Sequence, residues 1–141
     1  MKKNLLLTLT AIFGLVFIVL SCKKDDDPQD LLVDATCWKL SKSETRDNST
    51  SAWVDDTEAC SSDDCWDFAA DGKVTTDEGA TKCSVDDPQT TTGAYTLTGE
   101  GKVLTLTEDG VSLPFTVVEL TANKMVITLS LLGESRWTFV N

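Results

Sequence analysis

No histidine occurs anywhere in the 141-residue chain. That removes the side chain that takes the proton from serine or cysteine in the commonest nucleophilic hydrolases. Zinc would have to be held without imidazole, and the nearest cysteine pair, Cys60 and Cys65, has C-x4-C spacing instead of the tight C-x2-C of zinc knuckles. No metal or other cofactor is therefore expected. Basic side chains are also scarce, 12 against 23 acidic, for a formal net charge of −11. Such a surface repels phosphate backbones and anionic headgroups, which argues against nucleic acid as a partner and against electrostatic docking on a membrane. After residue 20 no second apolar run of membrane-spanning length follows. From Thr36 onward no stretch has helical periodicity.

At the amino terminus the chain carries an address. Lys2 and Lys3 precede an apolar stretch from Leu5 to Leu20, and Ser21-Cys22 then leads into Lys23-Lys24-Asp25-Asp26-Asp27. The apolar stretch is too short and too unevenly flanked for a transmembrane helix and has the layout of a secretory signal. The arrangement resembles a bacterial lipoprotein signal, which implies that residues 1–21 are removed and that Cys22 is acylated with chains such as palmitate. Two or three acyl chains, each contributing about 0.8 kcal/mol per buried methylene, would hold the protein on a bilayer through the lipid alone. The acidic run resembles the export signal that sends lipoproteins of Bacteroidetes-type bacteria to the cell surface. An outer-membrane, lipid-anchored and surface-exposed protein is the resulting expectation. Residues 22–33, polar at first and containing Pro28, read as the acylated cysteine and a flexible tether. Residues 34–141 then make one domain, long enough for a single core and too short for two.

Within that domain the apolar residues recur with period two: Trp38/Leu40, Trp66/Phe68, Tyr95/Leu97, Leu104/Leu106, Phe115/Val117, Ile127/Leu129 and Trp137/Phe139 each fall on one face. Between them stand turn formers such as Asp71-Gly72, Gly99-Glu100-Gly101 and Asp109-Gly110. The pattern predicts about eight strands, near 36–43, 64–70, 73–77, 92–98, 102–107, 111–120, 124–131 and 135–140. An all-β, eight-stranded up-and-down antiparallel barrel follows, because closure removes the edges that an open meander would expose. An immunoglobulin-type sandwich would want cysteines far apart with a tryptophan between them, whereas all four here lie in the first half of the domain. Pro114 inside the sixth strand, and the parity slip of Val118 and Leu120 against Phe115 and Val117, predict a bulge or a late strand start there. Two long connections, Glu44–Asp63 and Glu78–Thr91, interrupt the meander.

Cys37, Cys60, Cys65 and Cys83 form an even set in an exported chain, so disulfides are expected. With Trp38 and Trp66 inward, Cys37 and Cys65 point outward on neighbouring strands and can bridge. That leaves Cys60 for Cys83, each bond closing a loop worth about 3 kcal/mol on chain-entropy grounds. Pairing Cys60–Cys65 with Cys37–Cys83 is the alternative, and it closes one small loop to little effect.

The run from Cys60 to Gly72, continuing through Glu78–Cys83 and Gly93–Leu97, together with Cys37-Trp38-Lys39-Leu40 and Glu119–Ile127, resembles the lipocalin-like domain of small Bacteroidetes lipoproteins. The likeness spans roughly Asp34 to Asn141. It implies an eight-stranded barrel related to lipocalins and a Cys60–Cys83 bond, with Cys37 and Cys65 as an additional pair.

Adjacent carboxylates at Asp55-Asp56, Asp63-Asp64 and Asp86-Asp87 invite thoughts of glycoside hydrolysis, but neighbours in strands and loops usually point apart into water. Loop carboxylates suit calcium better, although the ordered spacing of an EF-hand is missing. An enzyme is not expected. The inward residues Trp38, Leu40, Trp66, Phe68, Tyr95, Leu97, Leu104, Leu106, Phe115, Ile127, Leu129, Trp137 and Phe139 are candidates to line an apolar cavity, since an eight-stranded barrel is either filled or holds one small molecule. Arg136 is placed to close the barrel floor by stacking on Trp38. Two functions compete on these grounds: a binding protein for a small apolar molecule or an envelope or host partner, and a structural or interaction module with a filled interior.

Overall fold

In the computed structural model, residues 26–141 are described. The signal segment and Cys22 lie outside the described residues. The chain forms α1 (Pro28–Val33), β1 (Trp38–Arg46), β2 (Val54–Asp55), a short 3-10 helix (Ala59–Asp63), β3 (Cys65–Phe68), β4 (Lys73–Asp77), β5 (Thr90–Thr98), β6 (Val103–Glu108), β7 (Val111–Leu120), β8 (Lys124–Ser130) and β9 (Glu134–Val140). Strands β3 to β9 pair in sequence order, each antiparallel to the next, and β1 pairs with both β3 and β9. These eight strands close a barrel. The expected spans agree to within a few residues, except that β1 runs on to Arg46 and the long connection after it contributes the extra strand β2. Lower β1 pairs with β3 through Trp38↔Trp66, and upper β1 with β2 through Thr45↔Val54.

Short turns enforce the meander. The β6–β7 hairpin turns on Asp109 and Gly110, both at positive φ of 48° and 80°, the mirror-image turn whose twist matches that of paired strands. Pro114 causes no bulge and lies in register opposite Thr105. The reason is directional. The Val117 amide donates to the Lys102 carbonyl on the β6 side, so the position of the missing Pro114 N–H faces β8. The β7–β8 ladder begins only at Thr116↔Thr128. The bulge comes later, at Val118 between Val117 and Glu119, where it turns Val118 out to solvent and returns Leu120 to the inner face opposite Met125. A second bulge, between Leu40 and Lys42 in β1, shifts parity so that Ser43 and Thr45 share a face with Trp137 and Ser135.

The supposed tether boundary is corrected. Residues 28–33 are helical, capped by the Asp27 carboxylate, which accepts from the Gln29 amide at 2.9 Å. Behind the polar residues that precede Pro28, Leu31-Leu32-Val33 form an apolar group that pulls the segment onto the barrel. Leu32 is completely buried, and its carbonyl accepts from the Trp38 indole at 3.0 Å. Gln29 donates to the Tyr95 hydroxyl at 2.6 Å, which itself donates to the Ala69 carbonyl at 2.9 Å. Pro28 presses on Gly101, where any Cβ would collide with the proline ring. Thus α1 plugs one end of the barrel, beside the β3–β4, β5–β6 and β7–β8 turns. Behind it pack Trp38, Phe68, Tyr95, Leu104, Met125, Ile127 and Phe139, all buried.

Replacing Leu32 by Ala should lower unfolding stability by about 2–5 kcal/mol, because the plug closes against rigid barrel walls that cannot collapse into the cavity. Denaturant unfolding checks this. A loss under half a kcal/mol would mean that the helix is not part of the cooperative fold.

Candidate functional site: the open end of the barrel

The end opposite α1 carries the β6–β7 and β8–β9 turns and both long connections, and there the lumen is not filled. The candidate lining residues divide along the barrel axis. Trp38, Phe68, Tyr95, Leu104, Phe115, Ile127 and Phe139 are buried in the core, while Leu40, Trp66, Leu97, Leu106, Leu129 and Trp137 are partly buried against it. Trp66, Leu106, Leu113 and Phe115 border an open cavity of about 430 Å³ that spans the lumen from β3 to β7, with Glu108, Asp109 and Val111 at its lip. A smaller recess of about 70 Å³ shares Trp66, Leu106 and Glu108 and is completed by Val74, Thr76, Thr91, Gly93 and Thr107. The Thr76 and Thr91 hydroxyls hydrogen-bond to each other across the β4–β5 pair. Gly93 keeps this wall thin, since a Cβ there would sit 2.7 Å from the Thr107 carbonyl oxygen. Trp66 rests its ring 4.8 Å from that of Phe139, and Trp137 meets Phe115 edge-on at 5.7 Å. Leu129 faces a separate hollow of about 320 Å³ bordered by Thr45, Arg46 and the β8–β9 turn.

Two disulfides brace the barrel, one low on the β1–β3 seam near the α1 end and one at the open end. Cys37 is bonded to Cys65 across the β1–β3 seam, and Cys60 to Cys83, which joins the two long connections. Asp63 ties them again, its Oδ2 accepting from the amides of Ala80 at 2.7 Å and Thr81 at 3.1 Å. Next to it, burial pushes the Asp64 carboxyl above the usual carboxylate range, and the nearby charges of Glu78, Asp63 and Asp77 add to the effect. Its Oδ1 is buried without a hydrogen-bond partner among the described residues. Glu58 approaches Cys60 and Cys83, but disulfide sulfurs offer no thiolate to a metal. Asp55 is committed to Thr57, accepting from its amide at 3.0 Å and its hydroxyl at 2.6 Å.

Arg136 does not reach Trp38. The β1 bulge sets Arg136 opposite Glu44 on the outer face of the barrel, where Glu44 accepts from it at 2.6 Å and from Lys42 at 2.8 Å. Its guanidinium lies 4.2 Å from the centre of the Trp53 ring, which Arg46 also approaches at 4.3 Å. Trp53, embedded in a polar loop, gave no periodic signal of this role. Glu108 was legible in principle, because it continues the inward parity of Leu104 and Leu106 along β6.

A family model described as a lipocalin-like domain matches residues 36–127, from the start of the domain into β8. No curated protein matches the chain. No solved structure matches it either.

Trp137→Ala should destabilise the fold by about 3–5 kcal/mol, whereas Trp66→Ala, with one side of its ring already facing the cavity, should have a clearly smaller effect. Equal losses in denaturant unfolding would mean that Trp66 is ordinary core. Asp64 gives a pH-dependent test. Its folded pKa is raised, so the stability linked to its protonation is present below the unfolded carboxylate value of about 3.9 and is lost as pH rises through the folded pKa. Asp64→Asn should therefore raise the melting temperature at pH 7, and the gain should vanish towards pH 3. A gain independent of pH would contradict this assignment.

Proposed function

This chain belongs to the lipocalin-like domain family, and from that premise we propose that the open end of its barrel binds a small, largely apolar molecule without transforming it. The observation that carries this reading is the division of the lumen. Buried side chains pack it at the α1 end, yet Trp66, Leu106, Leu113 and Phe115 border open space at the other. Apolar walls, a few polar groups at the lip and a rigid scaffold are the usual make-up of a small-molecule site. A chain without histidine lacks the side chain that most often carries acid–base and nucleophilic chemistry. The second reading, an interaction module, draws on the exposed Leu131 and Leu132 of the β8–β9 turn.

The proposal extends to place. Cys22 lies four positions before Asp26, the first described residue, and α1 docks at the closed end. Acylation of Cys22 would therefore attach the barrel to the outer membrane by its plugged end and leave the mouth facing away from the bilayer. Display on the cell surface, suggested by Asp25-Asp26-Asp27, would put that mouth in contact with the medium.

Native mass spectrometry of protein purified from its own host is expected to show a retained small molecule in part of the population. Its repeated absence would favour the interaction module. Cys22→Ser should shift the protein from the membrane to soluble or uncleaved fractions, and normal processing with unchanged membrane partitioning would remove the anchor. Protease added to intact cells should digest the protein if it is surface-displayed, and survival until the outer membrane is opened would place it inside.

A further inference from the structure

On the β3–β7 side the mouth of the barrel is apolar and aromatic on its walls and carries charge of only one sign. Glu108 occupies the position in β6 where Leu104 and Leu106 predict an inward side chain, and it borders both the large cavity and the smaller recess. Asp109 stands beside it at the same lip. Neither carboxylate has an ion-pair partner among the described residues, and no lysine or arginine lines either space. The two arginines of the β1–β9 seam are engaged elsewhere, Arg46 with Glu134 and Arg136 with Glu44, and both pack on Trp53. On the other flank, Asp63, Asp64, Asp77 and Glu78 gather where β4 ends opposite Cys65, next to Trp66 in β3.

We propose that the mouth selects an organic cation, an ammonium carried on a compact apolar body, with the body against Trp66, Leu106, Leu113 and Phe115 and the charge held by Glu108 and Asp109. The inference rests on the reading that this cavity binds a small molecule and adds the ligand's charge to it. Three physical effects favour a cation there. Trp66 lines the cavity, and an indole is the side chain whose face most favours positive charge. Two carboxylates at the rim of a low-dielectric recess gain an interaction partner that the protein does not supply. The net charge of −11 raises the local concentration of cations and lowers that of anions around the mouth. A carboxylate or phosphate ligand would meet all three effects with the opposite sign. A neutral ligand would leave Glu108 and Asp109 in water with nothing gained from them.

The test uses three probes with the same naphthyl body and head groups of similar size, measured by calorimetry with the purified protein: 2-naphthylmethylammonium, 2-naphthylmethanol and 2-naphthoate. The cation should bind about tenfold more tightly than the alcohol, the anion more weakly than either, and the cation's advantage should shrink as salt is added. In the Glu108→Gln/Asp109→Asn variant the ratio of cation to alcohol affinity should fall towards one; both positions are exposed and Asn tolerates the positive φ at position 109, so the fold should persist. Equal affinity for cation and alcohol, or a preference that survives the double substitution, would overturn the proposal while leaving the binding site itself intact. Failure of all three probes to bind would remove both.

Discussion

The barrel exists because β1 pairs with β9. Every other strand pairing is between neighbours in a meander and would form equally in an open sheet, whereas the ladder from Lys39↔Val140 to Arg46↔Glu134 joins the two ends of the domain and converts one face of the sheet into a lumen. This seam is reinforced on its outer side. Glu44, only 6% exposed, accepts from Lys42 and Arg136, and Arg46 pairs with Glu134, so two ion pairs bridge the closing strands. The hydrogen bond from Lys42 is the first cause holding the Glu44 carboxyl below the usual carboxylate range, with that from Arg136 contributing further. A depressed pKa means that this stabilisation is present above the unfolded carboxylate value and is lost as pH falls through the folded one. Trp53, lying against both guanidiniums, anchors the loop that leads from β1 into β2.

Closure alone does not decide whether the interior is a core or a site. The two ends are treated differently by the sequence. At one, α1 supplies Leu32 and caps the lumen, and the indole of Trp38 is spent on the Leu32 carbonyl. At the other, β3 is only four residues long, Gly93 and the threonines of β4 and β5 replace large side chains, and the connecting segments are held back by Cys60–Cys83 and the Asp63 carboxylate. The space that remains follows from those small residues and short strands. If the chain is anchored at Cys22, the plugged end is the one near the membrane, and a ligand would enter from the far side.

Much of this was visible in the order of residues. Period-two alternation located the eight barrel strands, and the inward parity of Trp38 and Trp66 placed Cys37 and Cys65 on the outside, where the structure joins them. Arg136 lies on the outer wall by the parity of its own strand, beside inward Trp137, and the extra residue between Leu40 and Lys42 brings Glu44 instead of Ser43 opposite it; the irregularity anticipated at Pro114 belongs to Val118. Helix α1 was missed because its six residues are too short for a periodic signal, and its order comes from tertiary contacts of Leu32, Gln29 and Pro28 that no local pattern encodes. The division of thirteen inward residues between core and cavity was likewise illegible, since it depends on how far each strand extends and on which end is capped.

The claim that the barrel is plugged at one end and receptive at the other is tested most directly by its four tryptophans, which stand at distinct places along it. Titration of 15N-labelled protein with 2-naphthylmethanol should shift the Trp66 indole resonance in a saturable way. The Trp38 indole, bonded to Leu32 behind the plug, and that of Trp53 on the outer wall should stay in place. Saturable shifts at Trp38 with none at Trp66, or no saturable shift at any indole, would contradict the account.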